Sequence, residues 1–195
     1  MTPSASSSRI ASQLGLAERI FAGPRARRLI DGVEAGLDRV DANLERELHI
    51  SDALADATSR YLFDAGGKRV RPMLALLTAH LGDGVTEDVV EAATALELTH
   101  LGSLYHDDVM DDADKRRGVP SAHSVWGNNI AILTGDLLFA RASQIMARLG
   151  EGAIRLQANT FERLVLGQMH ETVGPTDADD RVAFYLQVLA DKTGS

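Results

Sequence analysis

The chain has 195 residues, of which 45% are hydrophobic and 25% are charged, and 20 basic against 28 acidic side chains give a net charge of −8. This length supports one substantial core, and the net acidity argues against a nucleic-acid partner because no basic face is evident. The absence of cysteine excludes a disulfide framework and thiolate chemistry and fits a cytoplasmic setting. No apolar run approaches the roughly 18 residues of a membrane span, so we expect no transmembrane segment.

The N-terminus differs from the rest of the chain in composition. The first 20 residues are rich in serine, with Arg9 and Arg19 but only one acidic residue, Glu18. A transit peptide has a similar composition, although the apolar core of a secretory signal is missing. We predict that residues 1–24 form a flexible tail.

After the tail, apolar residues recur at intervals of three and four, which predicts helices rather than strands. The first predicted helix follows Pro24, the second begins at Ser51-Asp52, the third carries Pro72 in its first turn, and the fourth begins at Thr86 and runs to about Asp112. Three more are predicted over 129–149, 153–172 and 177–190. Residues 113–121 are expected to form a polar loop, and the Pro72 helix to bury Leu74, Leu77 and Leu81. The predicted class is all-α, with a single helical bundle domain over 25–195.

Carboxylates crowd the end of the central helix. Successive spacings of four, three and four residues place His100, Leu104, Asp107 and Asp111 on one helix face. A helix C-terminus carries partial negative charge, so aspartates there repel the helix and one another, and a hard cation such as Mg²⁺ removes the penalty. A solvated acidic helix end is the alternative, whereas an EF-hand loop would lack its glycine and its closing glutamate.

Two basic segments accompany the carboxylates. Lys115, Arg116 and Arg117 follow the aspartates directly, and guanidinium groups suit phosphate oxygens. Gly66-Gly67-Lys68-Arg69-Val70-Arg71-Pro72 lies between two predicted helices, where glycines let the backbone approach an anion beside a helix N-terminus. An ordinary glycine turn with surface cations is the alternative. Together the segments predict two phosphorylated ligands, one bound directly by cations and one bound through Mg²⁺.

This set of motifs resembles the trans-isoprenyl diphosphate synthases, or polyprenyl synthetases. The resemblance rests on Gly-Gly-Lys-Arg-x-Arg-Pro, His100, Asp-Asp-x-x-Asp from Asp107, Arg116-Arg117-Gly118, Thr134-Gly135-Asp136-Leu137-Leu138, Gly167-Gln168 and Lys192-Thr193. It implies an isoprenoid-synthase helical fold, a homodimer, and a Mg²⁺-dependent prenyltransferase that condenses isopentenyl diphosphate with an allylic diphosphate.

The resemblance also implies roles for single residues. Isopentenyl diphosphate would be held by Lys68, Arg71, His100 and Arg117. Mg²⁺ ions bridging to the allylic diphosphate would be ligated by Asp107 and Asp111. Asp108, the second residue of this catalytic aspartate motif, would orient these ligands. The allylic side would be completed by Arg116, Gln168, Lys192 and Thr193. A packing or capping role is the alternative for Gln168 and Thr193, and a buried helix residue is the alternative for His100.

Two small residues suggest the length of the product. Gly102 and Ser103 lie about one turn before Asp107, where family members that make short products carry bulky aromatic residues. We therefore predict a product longer than farnesyl and expect Gly102→Phe to shorten it. Close helix packing also favours small residues, and it is the alternative explanation.

The resemblance departs from the family pattern after Lys192-Thr193, where a second aspartate-rich motif should follow. Asp177, Asp179 and Asp180 precede that pair and are typical of a helix start. We expect the chain to be the N-terminal portion of a synthase, with poor turnover by itself. A terpenoid cyclase and a non-catalytic or regulatory subunit are the alternatives, although a cyclase needs no second diphosphate site.

Overall fold

The structure is a computed structural model that describes residues 23–194. Its elements are α1 Pro24–Leu48, α2 Ala53–Asp64, α3 Val70–Ala79, α4 Glu87–Met110, β1 Lys115–Arg116, β2 Val119–Pro120, α5 Ala122–Trp126, α6 Asn128–Arg148, α7 Glu151–Val173 and α8 Arg181–Lys192. The all-α prediction is confirmed. The predicted tail, apart from its last two residues, lies outside the described residues.

The chain divides into two compact units, one ending at Ile145 and the other beginning at Met146. The first unit contains α1 to α5 and most of α6, and the second contains α7 and α8. The prediction of one domain over 25–195 stays a prediction.

The core of the first unit is built on α1. Its apolar residues at three- and four-residue intervals are fully or almost fully buried, as their periodicity predicts: Val33, Leu37, Val40, Leu44 and Leu48. This face packs against α3 and α4. Gly36 allows a close approach, because a Cβ there would lie 2.9 Å from Leu76 Cδ2. Each fully buried aliphatic side chain contributes roughly 1.5–3 kcal/mol to the stability of the fold.

The predicted inner face of α3 is wrong. Leu74 is 48% exposed and Leu81 is 89% exposed, whereas Pro72, Met73 and Leu76 are buried. The helix ends at Ala79, so Leu81 lies beyond its last turn, and the α3 face that meets α1 and α4 is the one carrying Met73 and Leu76. Pro72 does lie in the first turn, as predicted.

Side-chain and backbone caps set the ends of α2 and α4. Asp52 accepts hydrogen bonds from the amides of Leu54 and Ala55 at 3.0 and 2.9 Å, which starts α2 where the sequence predicts it. At the other end of α4, Asp112 adopts a left-handed backbone with φ 48°, and the Ala113 amide donates to the Asp108 carbonyl at 3.0 Å. The left-handed residue and this 6→1 hydrogen bond are features of a Schellman motif, and they end the helix in the middle of the acidic cluster.

The predicted loop over 113–121 contains a β-hairpin. β1 pairs with β2 in antiparallel register, Lys115 opposite Pro120 and Arg116 opposite Val119. Arg117 and Gly118 form the turn with φ values of 52° and 83°. Two positive φ values define a type I′ turn, the geometry that matches strand twist in a two-residue hairpin. Each strand has only two residues, too few for an alternating pattern in the sequence to predict the hairpin.

α6 contains a long apolar stretch. Among the described residues it is the helix long and apolar enough, by length and composition, to cross a membrane, with a mean hydropathy of 1.3 over an 18-residue window. Buried core helices meet the same criterion, and in α6 Ala131, Leu138 and Ala142 are buried.

The second unit consists of α7 packed against α8. A Cβ at Gly167 would lie 2.9 Å from the Lys192 amide nitrogen, so the two helices approach closely there. Asp180 caps α8 by accepting from the amides of Val182 and Ala183 at 2.9 and 3.1 Å. The interpretation as a helix start is therefore confirmed for Asp180, whereas Asp177 and Asp179 lie before α8, which begins at Arg181 rather than at 177.

Candidate functional site

Residues 66–71, called the basic turn below, join α2 to α3 and include the first two residues of α3. Gly66 and Gly67 have φ values of 92° and 155°, and Arg69 has a left-handed φ of 51°. A Cβ at Gly67 would lie 2.6 Å from Arg69 Nη1 and 2.9 Å from Arg117 Cζ. The positive φ favours glycine at this position, and a side chain there would also force the two guanidinium groups to shift.

The three cations of the basic turn lie in different environments. Lys68 and Arg71 are exposed at the start of α3, where no side chain caps the helix. Arg69 is only 6% exposed: its Nε is 2.8 Å from Asp41 Oδ1, and its Nη1 is 3.4 Å from Glu97 Oε1. The exposed pair and the helix N-terminus can receive an anion, whereas Arg69 is held inside the protein.

Arg117 connects the hairpin to the basic turn. Its Nη1 donates to the Leu62 carbonyl at 2.6 Å and also to the Gly66 carbonyl, while its Nη2 lies 3.9 Å from Glu97 Oε1. Burial lowers the pKa of Arg117 more than the nearby Glu97 raises it. In this arrangement the guanidinium stabilises the end of α2 and the turn that follows.

His100 lies within the field of the arginines. Burial is the largest cause, and together with the positive charges of Arg71, Arg117, Arg116 and Arg69, in that order of effect, it lowers the pKa of His100 to about 3. The imidazole is therefore neutral at physiological pH. Burial is the main reason why this histidine is neutral, and the four cations that add to the effect give the region a positive potential, which suits an anionic ligand.

The acidic end of α4 is also tied to the hairpin. Asp108 is buried, and its Oδ1 accepts from Arg116 Nε at 2.7 Å and from Arg116 Nη2 at 2.5 Å. The second carboxylate oxygen, Oδ2, is buried without a hydrogen-bond partner among the described residues. Asp107 is half-buried and Asp111 is exposed, one turn apart on the helix. Neither carboxylate is buried, so both are accessible to a ligand.

The carboxylates of Asp107 and Asp111 fit Mg²⁺ when a diphosphate supplies further ligands. Within residues 23–194, no three His, Asp or Glu side chains converge to hold a metal ion. Mg²⁺ is usually bound by one or two carboxylates together with substrate phosphates, rather than by a cage made only of protein. Asp107 and Asp111 therefore fit a metal shared with a diphosphate.

The two small residues before Asp107 have different surroundings. A Cβ at Gly102 would lie 3.0 Å from the Gly135 carbonyl oxygen and 3.1 Å from Phe139 Cε1, both on α6. This close contact favours helix packing as the reason for glycine. Ser103 is half-buried, and its Oγ donates to the His100 carbonyl at 2.8 Å.

The remaining sequence-predicted residues belong to the second unit. Lys192 Nζ lies 2.5 Å from Glu171 Oε2, and Thr193 is exposed just after α8. Gln168 is half-buried, with a buried Oε1 that has no partner among the described residues. Gln168 and Lys192 occupy neighbouring positions, because the preceding Gly167 contacts the Lys192 backbone.

Glu97 and Asp41 were missed by the sequence analysis. Glu97 is buried in α4, and burial raises its pKa although Arg69, Arg117 and Arg71 oppose the shift. The available signal was an acidic residue three positions before His100 on an apolar helix. Asp41 gave no comparable signal, because acidic residues are common on the polar face of a helix such as α1.

The comparisons with known proteins agree with this geometry. The family model described as Polyprenyl synthetase matches residues 52–195. The chain is 48% identical over 164 residues to the nonaprenyl diphosphate synthase of Mycobacterium tuberculosis, covering 84% of this chain and 49% of that protein. It is 39% identical to the heptaprenyl diphosphate synthase component 2 of Geobacillus stearothermophilus, covering 80% of this chain and 49% of that protein.

A solved structure is similar as well. The geranylgeranyl pyrophosphate synthase of Corynebacterium glutamicum, complexed with calcium and isoprenyl diphosphate, superimposes with a TM-score of 0.77 at 43% identity, covering 89% of this chain and 52% of that chain. The chain spans about half the length of the curated relatives it matches. The protein belongs to the polyprenyl synthetase family.

Proposed function

We propose that this chain is part of a prenyltransferase that condenses isopentenyl diphosphate with an allylic diphosphate to make a long-chain polyprenyl diphosphate. One observation carries the proposal: adjacent residues of the hairpin contact two oppositely charged sites. Arg116 binds Asp108 at the acidic end of α4, and Arg117 binds Leu62 and Gly66 at the basic turn. A condensation of two diphosphates needs two such neighbouring sites.

The cationic site is proposed for isopentenyl diphosphate. Lys68 and Arg71 are exposed beside the uncapped N-terminus of α3, where backbone amides and side-chain charges act on the same anion. His100 is neutral, so its ring can donate one hydrogen bond to a phosphate oxygen without the desolvation cost of a buried imidazolium. Arg117 contributes charge and holds the site together.

The carboxylate site is proposed for Mg²⁺ and the allylic diphosphate. Asp107 and Asp111 would hold the ion, and the similar structure with calcium and isoprenyl diphosphate supports a divalent cation at such a site. When bound, Mg²⁺ neutralises negative charge on the diphosphate that departs. Asp108 keeps Arg116 beside this site, and Arg116 adds a positive charge there. Gln168, Lys192 and Thr193 stay proposed contacts on the allylic side.

The proposed reaction makes one carbon–carbon bond. The allylic carbon–oxygen bond breaks with its electron pair leaving on the diphosphate, and the double bond of isopentenyl diphosphate attacks the resulting allylic cation. A proton then leaves the condensed product and is accepted by the released diphosphate. The residues of this chain place charge and exclude water, and they supply no nucleophile.

A homodimer in the cytoplasm is proposed for the assembly. Ile132 and Leu133 on α6 are exposed apolar residues that a second copy could cover. The relative named as component 2 supports a different second subunit as the competing outcome. Light scattering of the purified chain, alone and after mixing with a full-length synthase, separates these outcomes.

Calorimetric titration of the purified chain tests the proposed function. We expect isopentenyl diphosphate to bind without metal and farnesyl diphosphate to bind only with Mg²⁺. Arg71→Gln should abolish the binding of isopentenyl diphosphate only. Lys115→Gln on the hairpin is the matched control. Binding of farnesyl diphosphate alone would instead indicate a cyclase, and binding of neither would overturn the proposal. Label from isopentenyl diphosphate should enter longer prenyl diphosphates when turnover is measured.

A further inference from the structure

We propose that Glu97 is a positioning residue that holds the basic turn and the hairpin turn in register with each other. The proposal rests on the proposed function, because the parts that it aligns are those assigned to isopentenyl diphosphate. Glu97 itself does not touch the ligand in this account. It acts through two arginines.

The contacts converge on one carboxylate. The Glu97 side chain is 2% exposed, and its Oε1 lies 3.4 Å from Arg69 Nη1 and 3.9 Å from Arg117 Nη2. Arg69 is anchored on its other side by Asp41 of α1, at 2.8 Å. Arg117 is anchored by the carbonyls of Leu62 and Gly66. Glu97 is thus the shared anionic partner of two guanidinium groups from different loops.

The backbone shows why the arginines need this support. Arg69 and Arg117 have φ values of 51° and 52°, in the left-handed region that disfavours residues with a side chain. Such conformations persist when surrounding contacts overdetermine them, and they concentrate at functional sites. Gly67 lies between the same two guanidinium groups. Moving either arginine would therefore displace the turn that carries Lys68 and Arg71.

Because of the charges around Glu97, the direction of the change in diphosphate affinity distinguishes the possible roles of this residue. Arg69, Arg117 and Arg71 act on its carboxylate, and Asp41 acts against them. Glu97→Gln removes one negative charge, so a purely electrostatic role would tighten the binding of a diphosphate. A positioning role predicts the reverse, because misplaced cations outweigh the gain in net charge. A role in stability alone would leave affinity unchanged.

The experiment measures the affinity of the purified chain for isopentenyl diphosphate and for inorganic pyrophosphate, without added metal. We expect Glu97→Gln to weaken both by about tenfold or more, and Glu97→Asp to recover part of the loss. The matched control is Glu87→Gln, because Glu87 lies on the same helix but is 70% exposed. Unchanged or tighter binding by Glu97→Gln would overturn the proposal.

Hydrogen exchange of the ligand-free chain provides the second measurement. Glu97→Gln should speed amide exchange at residues 66–71 and 117–118 and leave α7 unchanged, and equal exchange there would also overturn the proposal. If the unmodified chain binds neither ligand, the proposed function fails and exchange alone decides the role of Glu97. If Glu97→Gln does not fold, Glu97→Asp replaces it, because the shorter side chain keeps the charge but draws it away from both arginines; unchanged affinity and unchanged exchange in Glu97→Asp would then overturn the proposal.

Discussion

The Arg116 guanidinium and the buried Asp108 carboxylate form an ion pair, with Nε and Nη2 lying 2.7 and 2.5 Å from the same Oδ1. The pair joins β1 to the last turn of α4. The next residue, Arg117, joins the hairpin turn to the basic turn. Two adjacent arginines therefore connect the carboxylate site and the cationic site through one short hairpin.

Breaking this ion pair should destabilise the fold. Asp108→Asn is expected to lower the free energy of unfolding by about 1.5–3 kcal/mol, because Arg116 loses a charged hydrogen-bond partner. Urea denaturation of the chain measures the change. Asp112→Asn is the control, since Asp112 has a side chain that is 101% exposed and asparagine tolerates its left-handed backbone. Equal stability of the two variants would contradict the importance of the pair.

Asp107 and Asp111 should carry the metal dependence. Asp107→Asn and Asp111→Asn are each expected to weaken Mg²⁺-dependent binding of farnesyl diphosphate by about tenfold or more, because each removes an oxygen ligand with a full charge. Calorimetric titration at fixed Mg²⁺ measures this. Metal-free binding of isopentenyl diphosphate should stay within about twofold. A similar loss in Asp112→Asn would show that general negative charge, rather than ligation, is responsible.

His100 should make stability depend on pH. Its pKa is about 3 in the folded chain against an ordinary value of 6.5, because burial and neighbouring arginines disfavour the imidazolium. Between these values the unfolded chain binds a proton that the folded chain does not. The free energy of unfolding should therefore fall as the pH falls from 6.5 towards 3, by at most about 1.4 kcal/mol per pH unit.

The His100 effect is isolated by comparison with His100→Gln. Carboxylates also titrate in this range, but they are common to both proteins. Urea denaturation at several pH values measures both proteins. The free energy of unfolding of the unmodified chain, minus that of His100→Gln, should fall as the pH is lowered. Parallel curves over this range would contradict a strongly lowered pKa.

The prediction for product length is best tested at Ser103. A Phe at Gly102 meets α6 first, since even a Cβ there lies 3.0 Å from the Gly135 carbonyl oxygen. Ser103→Phe is therefore expected to weaken Mg²⁺-dependent binding of geranylgeranyl diphosphate and to spare geranyl diphosphate, if the tail passes this position. Gly102→Ala reports the cost of disturbed packing alone. Equal weakening for both ligands would contradict the tail path.

Most of the long helices could be predicted from the sequence, although the short helix α5 and the inner face of α3 could not. Their signals are local: the spacing of apolar residues in α1, the N-cap Asp52, Pro72 in the first turn of α3, and Thr86 before α4. Such signals act between residues within a few positions of each other, so they do not depend on how the helices pack. The charged motifs were visible for the same reason, as clusters of like charge at the ends of helices.

The use of each charge was decided only by the tertiary structure. Arg69 and Arg71 look alike in the sequence, yet Arg69 is buried against Asp41 and Glu97 while Arg71 is exposed. The packing of α1, α3 and α4 also buries Leu76 rather than Leu74. These partners are far apart in the chain and meet only when the helices pack. Burying a charge demands a partner at that point in space, which no local pattern can specify.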